Sequence, residues 1–162
     1  MHAAQKEALE ERFEAKEWHG RSGSGRRLVK EFRFEGSELK GWKLVKVKHE
    51  EQEGARVIRS MWSHGENANE LLSVDVFACG SVKAAHEALL EVLSNMQSGA
   101  IERKKEKNTP GDIAFGLANT VIVFARANIT VLVRNAGPTV VPVGNVSREL
   151  DSQIQERLEP EK

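Results

Sequence analysis

At 162 residues, with 24 basic and 24 acidic side chains, the chain is sized for one domain and carries a formal charge of zero. That balance excludes a global field able to recruit nucleic acid or an anionic membrane, so any electrostatic targeting is local. Hydrophobic residues make up 40% and charged residues 30%, which suits a packed core, and no window approaches the roughly 20 apolar residues of a membrane-spanning helix.

Ala3 to Trp18 reads as a helix, because Ala4, Leu9, Phe13 and Trp18 form a thin apolar stripe on a charged rod. So narrow a stripe suits a helix on the domain surface or against a partner. Charged residues occupy the positions where a secretory signal would have its apolar core. Gly20 to Arg27, GRSGSGRR, reads as a linker by composition. The expected division is an N-terminal helical arm with its linker over 1–27 and a single α+β domain over 28–162. Basic residues predominate from Arg21 to Lys48, nine against three acids.

Gly41 to His49 alternates as a strand, and Ala55 to Trp62 returns as its hairpin partner. At a sheet edge, Lys46 and Lys48 would line up beside Trp42 and face an anionic polymer, although lysines on an edge strand ordinarily serve to prevent sheet-to-sheet association. Leu71 to Cys79 puts Leu72, Val74 and Val76 on one face and Ser73 and Asp75 on the other. Val82 to Met96 is the strongest helical pattern, with Val82, Ala85, Leu89, Val92 and Met96 at three- and four-residue steps. Glu102 to Lys107 reads as a solvated loop.

The second half repeats this order. A short strand at Asp112 to Gly116 and a hairpin from Thr120 to Arg134 precede a turn at Asn135 to Thr139 and a helix from Val146 to Leu158. The recurrence predicts an internal β-β-β-α pseudo-repeat, Trp42 to Met96 against Gly111 to Leu158. The expected fold is α+β, a curved antiparallel sheet with two helices packed on one face. The second hairpin is apolar on both sides, Val121 and Val123 against Ile122 and Phe124. With helices on one face, the other is left for the N-terminal helix, a second subunit or a ligand.

Chemistry-bearing patterns are sparse. Cys79 stands alone, so it cannot close an intramolecular disulfide and reads as a small buried hydrophobe. The histidines show no HxH, HExxH or Cys-His spacing, GxSxG and GK[ST] are absent, and no metal or cofactor is expected. Trp42, Trp62, Arg126 and Asn128 are the exposed-end candidates for binding, with Asn128 suited to positive φ at the hairpin tip and Arg126 placed to pair with Asp112. The alternative is a small ligand-binding protein or enzyme whose polar pocket gathers His64, Asp75 and Asp112.

GDIAF, VIVFARANITVLVRNAG and SRELDSQI, over roughly the last third of the chain, resemble uncharacterised bacterial extracytoplasmic and lipoprotein-type α+β domains. The resemblance implies a fold and an extracytoplasmic location, favoured over a cytoplasmic one, and carries no catalytic residues with it. The functional expectation is a non-enzymatic binding or assembly module that takes a protein partner or associates with itself. Specific nucleic-acid binding is not expected.

Overall fold

In the computed structural model, residues 3–18, 27–52, 54–96, 98–118 and 120–159 are described. Seven strands, β1 (Trp42–Gln52), β2 (Ala55–His64), β3 (Asn67–Cys79), β4 (Glu102–Arg103), β5 (Ile113–Leu117), β6 (Val121–Arg126) and β7 (Ile129–Asn135), form one sheet in the order β1-β2-β3-β7-β6-β5-β4. Every pairing is antiparallel. Three helices accompany it, α1 (Ala3–Arg12), α2 (Val82–Met96) and α3 (Gly144–Glu156). The fold is therefore α+β, and β1 is an edge strand as the lysines imply. Glu102 and Arg103, read from the sequence as loop, pair with Gly116 and Phe115 and close the opposite edge.

The helices do not share a face. Ile122, Phe124, Val131 and Val133 pack with Val146, Leu150 and Ile154 of α3 in one core. Val123, Ala125 and Leu132 pack with Leu89, Leu90 and Leu93 of α2 in the other. Because side chains alternate along a strand, these sets define opposite faces of β6 and β7, here called the first and the second. The expectation of helices on one face fails because the pattern marks both sides of the hairpin as covered without saying by which element: the side left for the N-terminal helix, a second subunit or a ligand is taken by α2 together with Phe13, Ala15 and Trp18. Both sides are used, each large side chain buried there contributing about 1.5 to 3 kcal/mol of transfer free energy.

The same finding limits the internal repeat. Strands then helix does recur in chain order, and β3 meets β7 antiparallel at the join. A two-fold axis relating the two strand sets in this reversed order must stand normal to the sheet, which would leave both helices on one face. Their opposite placement makes the recurrence one of chain order without matching symmetry.

Two irregular segments complete the cores. Residues 27–41 form neither helix nor strand, yet Val29, Phe32 and Leu39 are buried in the first core. Their turn is tied by Glu38, 1% exposed, whose carboxylate accepts the backbone N–H groups of Glu35 and Gly36 at 2.8 and 2.9 Å. Arg157, just past α3, donates to the same carboxylate at 2.7 Å. On the second face, α1 stops at Arg12, short of the expected Trp18, because Glu14 turns left-handed (φ 55) into a 3-10 turn. None of α1 is buried, but Phe13, Ala15 and Trp18 that follow enter the second core. The stripe expected on the surface thus becomes a plug against Phe115. Of the expected linker, Gly20 to Arg26 lies outside the described residues.

A direct test is available from neighbouring residues. Ile122 is 4% exposed and Val123 0%, beneath opposite layers. Ile122→Glu and Val123→Glu are each expected to lose cooperative unfolding by circular dichroism, since either buries an unpaired charge. One folded variant of the two would show that its face is open.

Candidate functional site

The residues named from sequence are mostly structural. Trp62 is 0% exposed, and its indole N–H donates to Ser60 Oγ at 2.9 Å inside the first core. It is not an exposed end. Asn128, 3% exposed, accepts from Val29 N–H at 2.8 Å and donates to the carbonyls of Val29 and Cys79 at 2.8 and 2.7 Å. Its role is to brace the hairpin tip, and the positive φ expected of it falls on Ala127 (φ 54). Arg126 does donate to Asp112, at 3.2 Å, but its shorter bidentate bonds, 2.8 and 2.9 Å, go to Asp151 of α3. Asp112 also accepts the Ala127 N–H at 2.9 Å. Gly111 before it has φ +74, and a Cβ there would lie 2.5 Å from the Ala125 carbonyl, so this turn requires glycine.

Trp42 tilts over His64 with ring centroids 4.8 Å apart, and His64 Nδ1 lies 3.1 Å from Glu70. A register shift between Leu44 and Lys46 turns Lys46 and Lys48 to the second face while Trp42 packs on the first core. They therefore do not line up beside Trp42. His64, Asp75 and Asp112 do not converge either. His64 contacts Glu70, Asp75 contacts Arg59 and Arg134, and Asp112 contacts Arg126.

Asp75 belongs instead to a groove of about 610 Å3 on the second face, between α2 and the sheet, lined from β1 to β3 and from β5 to β7. Its wall follows from sequence. Ser81 Oγ accepts the Ala84 N–H at 3.1 Å and starts α2. Ala84, Ala88 and Val92 then recur every fourth residue along the groove. Small alanines leave room that larger side chains would fill. Thr130 Oγ donates to the Ala85 carbonyl at 2.6 Å and fixes the helix to β7. Phe77 and Leu132 supply apolar floor.

The polar part of the floor is a charge cluster spanning four adjacent strands, β1, β2, β3 and β7. Arg59 pairs across to Asp75, and Ser73 to Arg134. Arg59 Nη1 lies 2.9 Å and Arg134 Nη2 3.6 Å from the same oxygen, Asp75 Oδ2. Arg59 Nε donates to Glu50 at 3.1 Å, and Lys48 approaches Glu50 at 3.4 Å. The carboxylate is 4% exposed, while the Arg59 and Arg134 side chains are 39% and 49% exposed. Burial pushes the Asp75 carboxyl above its ordinary value, and the two guanidiniums only partly reverse this. Arg59 and Arg134 were missed from sequence, although each occupies a polar position alternating with core residues, Ile58 and Val133.

The raised Asp75 value has a signed consequence. In the window above the ordinary aspartate value the folded state holds more protons than the unfolded, so this group's contribution to stability falls as pH rises through its folded pKa. Relative to Asp75→Asn, the native protein is expected to lose stability across that interval in urea unfolding at stepped pH. A difference that instead grows with pH would contradict the direction.

Cys79 is removed from nucleophilic chemistry at neutral pH, because burial, with the Glu87 charge, pushes its thiol up to about 11. Among the described residues, no group of three or more His, Cys, Asp or Glu side chains is placed to hold a metal ion. No described helix is long and apolar enough to cross a membrane. No family model matches the chain, and neither a curated protein nor a solved structure matches it.

Proposed function

We propose that this protein is a non-enzymatic binding module that holds its ligand in the groove between α2 and the second face of the sheet. The observation that carries the reading is the groove itself, about 610 Å3, lined by apolar side chains of α2 and the sheet and by the Arg59–Asp75–Arg134 charge cluster, with Glu87 and Glu91 on its helical side. That size falls in the range of small-molecule sites. The residues first named as candidates do other work: Trp62 and Asn128 are buried, and Arg126 braces α3. The resemblance of the last third to extracytoplasmic domains is compatible with a binding role and adds no residue to it.

Native mass spectrometry of the full chain purified gently from its own host tests the reading, with Ala88→Trp as the groove-filled variant. Ala88 is half-buried on the wall, and tryptophan there costs helix propensity of only about 0.5 kcal/mol. The native form is expected to carry a bound mass that Ala88→Trp lacks. The same mass on both would place binding elsewhere.

Assembly through the β1 edge is a second reading, favoured by Val45 and Val47, which are 53% and 40% exposed. In the same spectrum it requires a dimer that Val47→Lys dissociates.

A further inference from the structure

We propose that the groove takes an amphipathic oxyanion, one carboxylate or phosphate head on Arg59 and Arg134 with an apolar body lying along α2. This rests on the groove reading above and adds the class of ligand.

The head is assigned by charge and geometry. Lys46 pairs with Met61, Met61 with Ser73 and Ser73 with Arg134, so all four lie in one cross-strand row on the second face. Lys48, Arg59 and Asp75 form the adjoining row. Three cations, Lys48, Arg59 and Arg134, contact two carboxylates, Asp75 and Glu50, while Lys46 stands three strands from Arg134, roughly 14 Å at the usual strand spacing. Asp75 is buried beneath the guanidiniums and holds them side by side, yet one carboxylate oxygen serves both, and Arg134 meets it only at 3.6 Å. Guanidinium forks that remain substantially exposed are suited to accept a planar or tetrahedral oxyanion.

The body is assigned by the wall. Ala84, Ala88 and Val92 line the helical side of the groove, and Phe77, Leu132 and Leu117 line it from the sheet. Polyanions fit poorly. Glu87 and Glu91 stand on the helical side of the groove and oppose a second phosphate. For base stacking, the only aromatic side chain among the described residues that line the groove is the half-buried Phe77. One acidic group at the floor and an uncharged tail satisfy both constraints.

Isothermal titration calorimetry of the full chain with dodecanoate, dodecyl phosphate, dodecanol and dodecyltrimethylammonium, each below its micelle threshold, tests the assignment. At least one of the two anions is expected to bind about tenfold more tightly than dodecanol. Whichever head binds better distinguishes a carboxylate from a phosphate source, and the ammonium is expected to give no binding. Arg134→Gln is expected to weaken the anion about tenfold and leave dodecanol unchanged, while Asp75→Asn tightens the anion by freeing both guanidiniums. Lys48→Gln, on an exposed residue paired across to Arg59, is expected to weaken the anion about twofold to threefold and serves if Arg134→Gln unfolds. Equal affinities for anion and alcohol, unmoved by these variants, would overturn the oxyanion assignment and leave the groove reading standing. Binding that persists in Ala88→Trp would remove the groove reading itself. No binding of any amphiphile would overturn the inference, with the groove then judged by the mass it retains from the host.

Discussion

Arg126→Ala is expected to lower the unfolding free energy by about 3 to 5 kcal/mol, the range for removing one partner of a buried ion pair. Arg126 is the cation between Asp151, whose side chain is 7% exposed, and Asp112, 22% exposed. Asp151 also receives Gln155 at 3.1 Å, but no amide replaces a bidentate guanidinium, and the carboxylate would remain buried without its countercharge. The pair joins the β6–β7 tip to α3, so the loss should be felt as loosening of the layer on the first face. Asp112→Asn keeps the acceptor for the Ala127 N–H and is expected to cost about 1 kcal/mol or less. Urea unfolding of both variants checks the contrast. A loss below 1 kcal/mol for Arg126→Ala would mean that the pair is solvated in solution.

Trp62→Ala is expected to destabilise by a similar 3 to 5 kcal/mol, about the range for an aromatic truncated in a core that cannot close over the cavity. The indole is fully buried. It stands edge-on to Phe34 at 5.5 Å and donates to Ser60. Trp62→Phe retains most of the packing and loses the Ser60 hydrogen bond, for about 1 to 2 kcal/mol. Thermal and urea unfolding separate this from a binding role, because an exposed partner-contacting tryptophan could be truncated with little change in stability. Unaltered midpoints in Trp62→Ala would contradict the packing.

How much of this was legible depends on the range of the interaction. The helix from Val82 to Met96 was read to the residue, because its three- and four-residue spacing is local and Ser81 starts it. Six of the seven strands were read because apolar alternation is local too, whereas β4, the charged pair Glu102–Arg103, has none and was read as loop. Period-two patterning says which residues share a face, but not which layer covers it. Ile122 and Val123 therefore gave no clue that α3 and α2 lie on opposite sides. Arg126 with Asp112 was inferable across a hairpin, whereas Asp151 was not, since a helix 25 residues away must first be docked. Asn128 bonding Val29 across 99 residues had no sequence signal at all. The bulge after Leu44 shifted the register by one and moved the lysines to the other face, an event alternation alone does not announce. The groove was invisible for the same reason as the layers. It exists because α2 covers one half of the second face and not the other.

The groove also explains why a chain of zero net charge needs no global field to select a ligand: its cations are concentrated on one face of three strands, over a buried aspartate. The most direct measurement is a 15N–1H NMR titration of the full chain with dodecanoate, repeated on Ala88→Trp. Amide shifts concentrated at Ala84, Ala88, Val92, Phe77, Leu132 and Arg134, and absent in the variant, are the expected result. Shifts confined to the Trp42–His64 corner or to the Asp112–Arg126 turn, or unchanged by Ala88→Trp, would contradict binding in the groove.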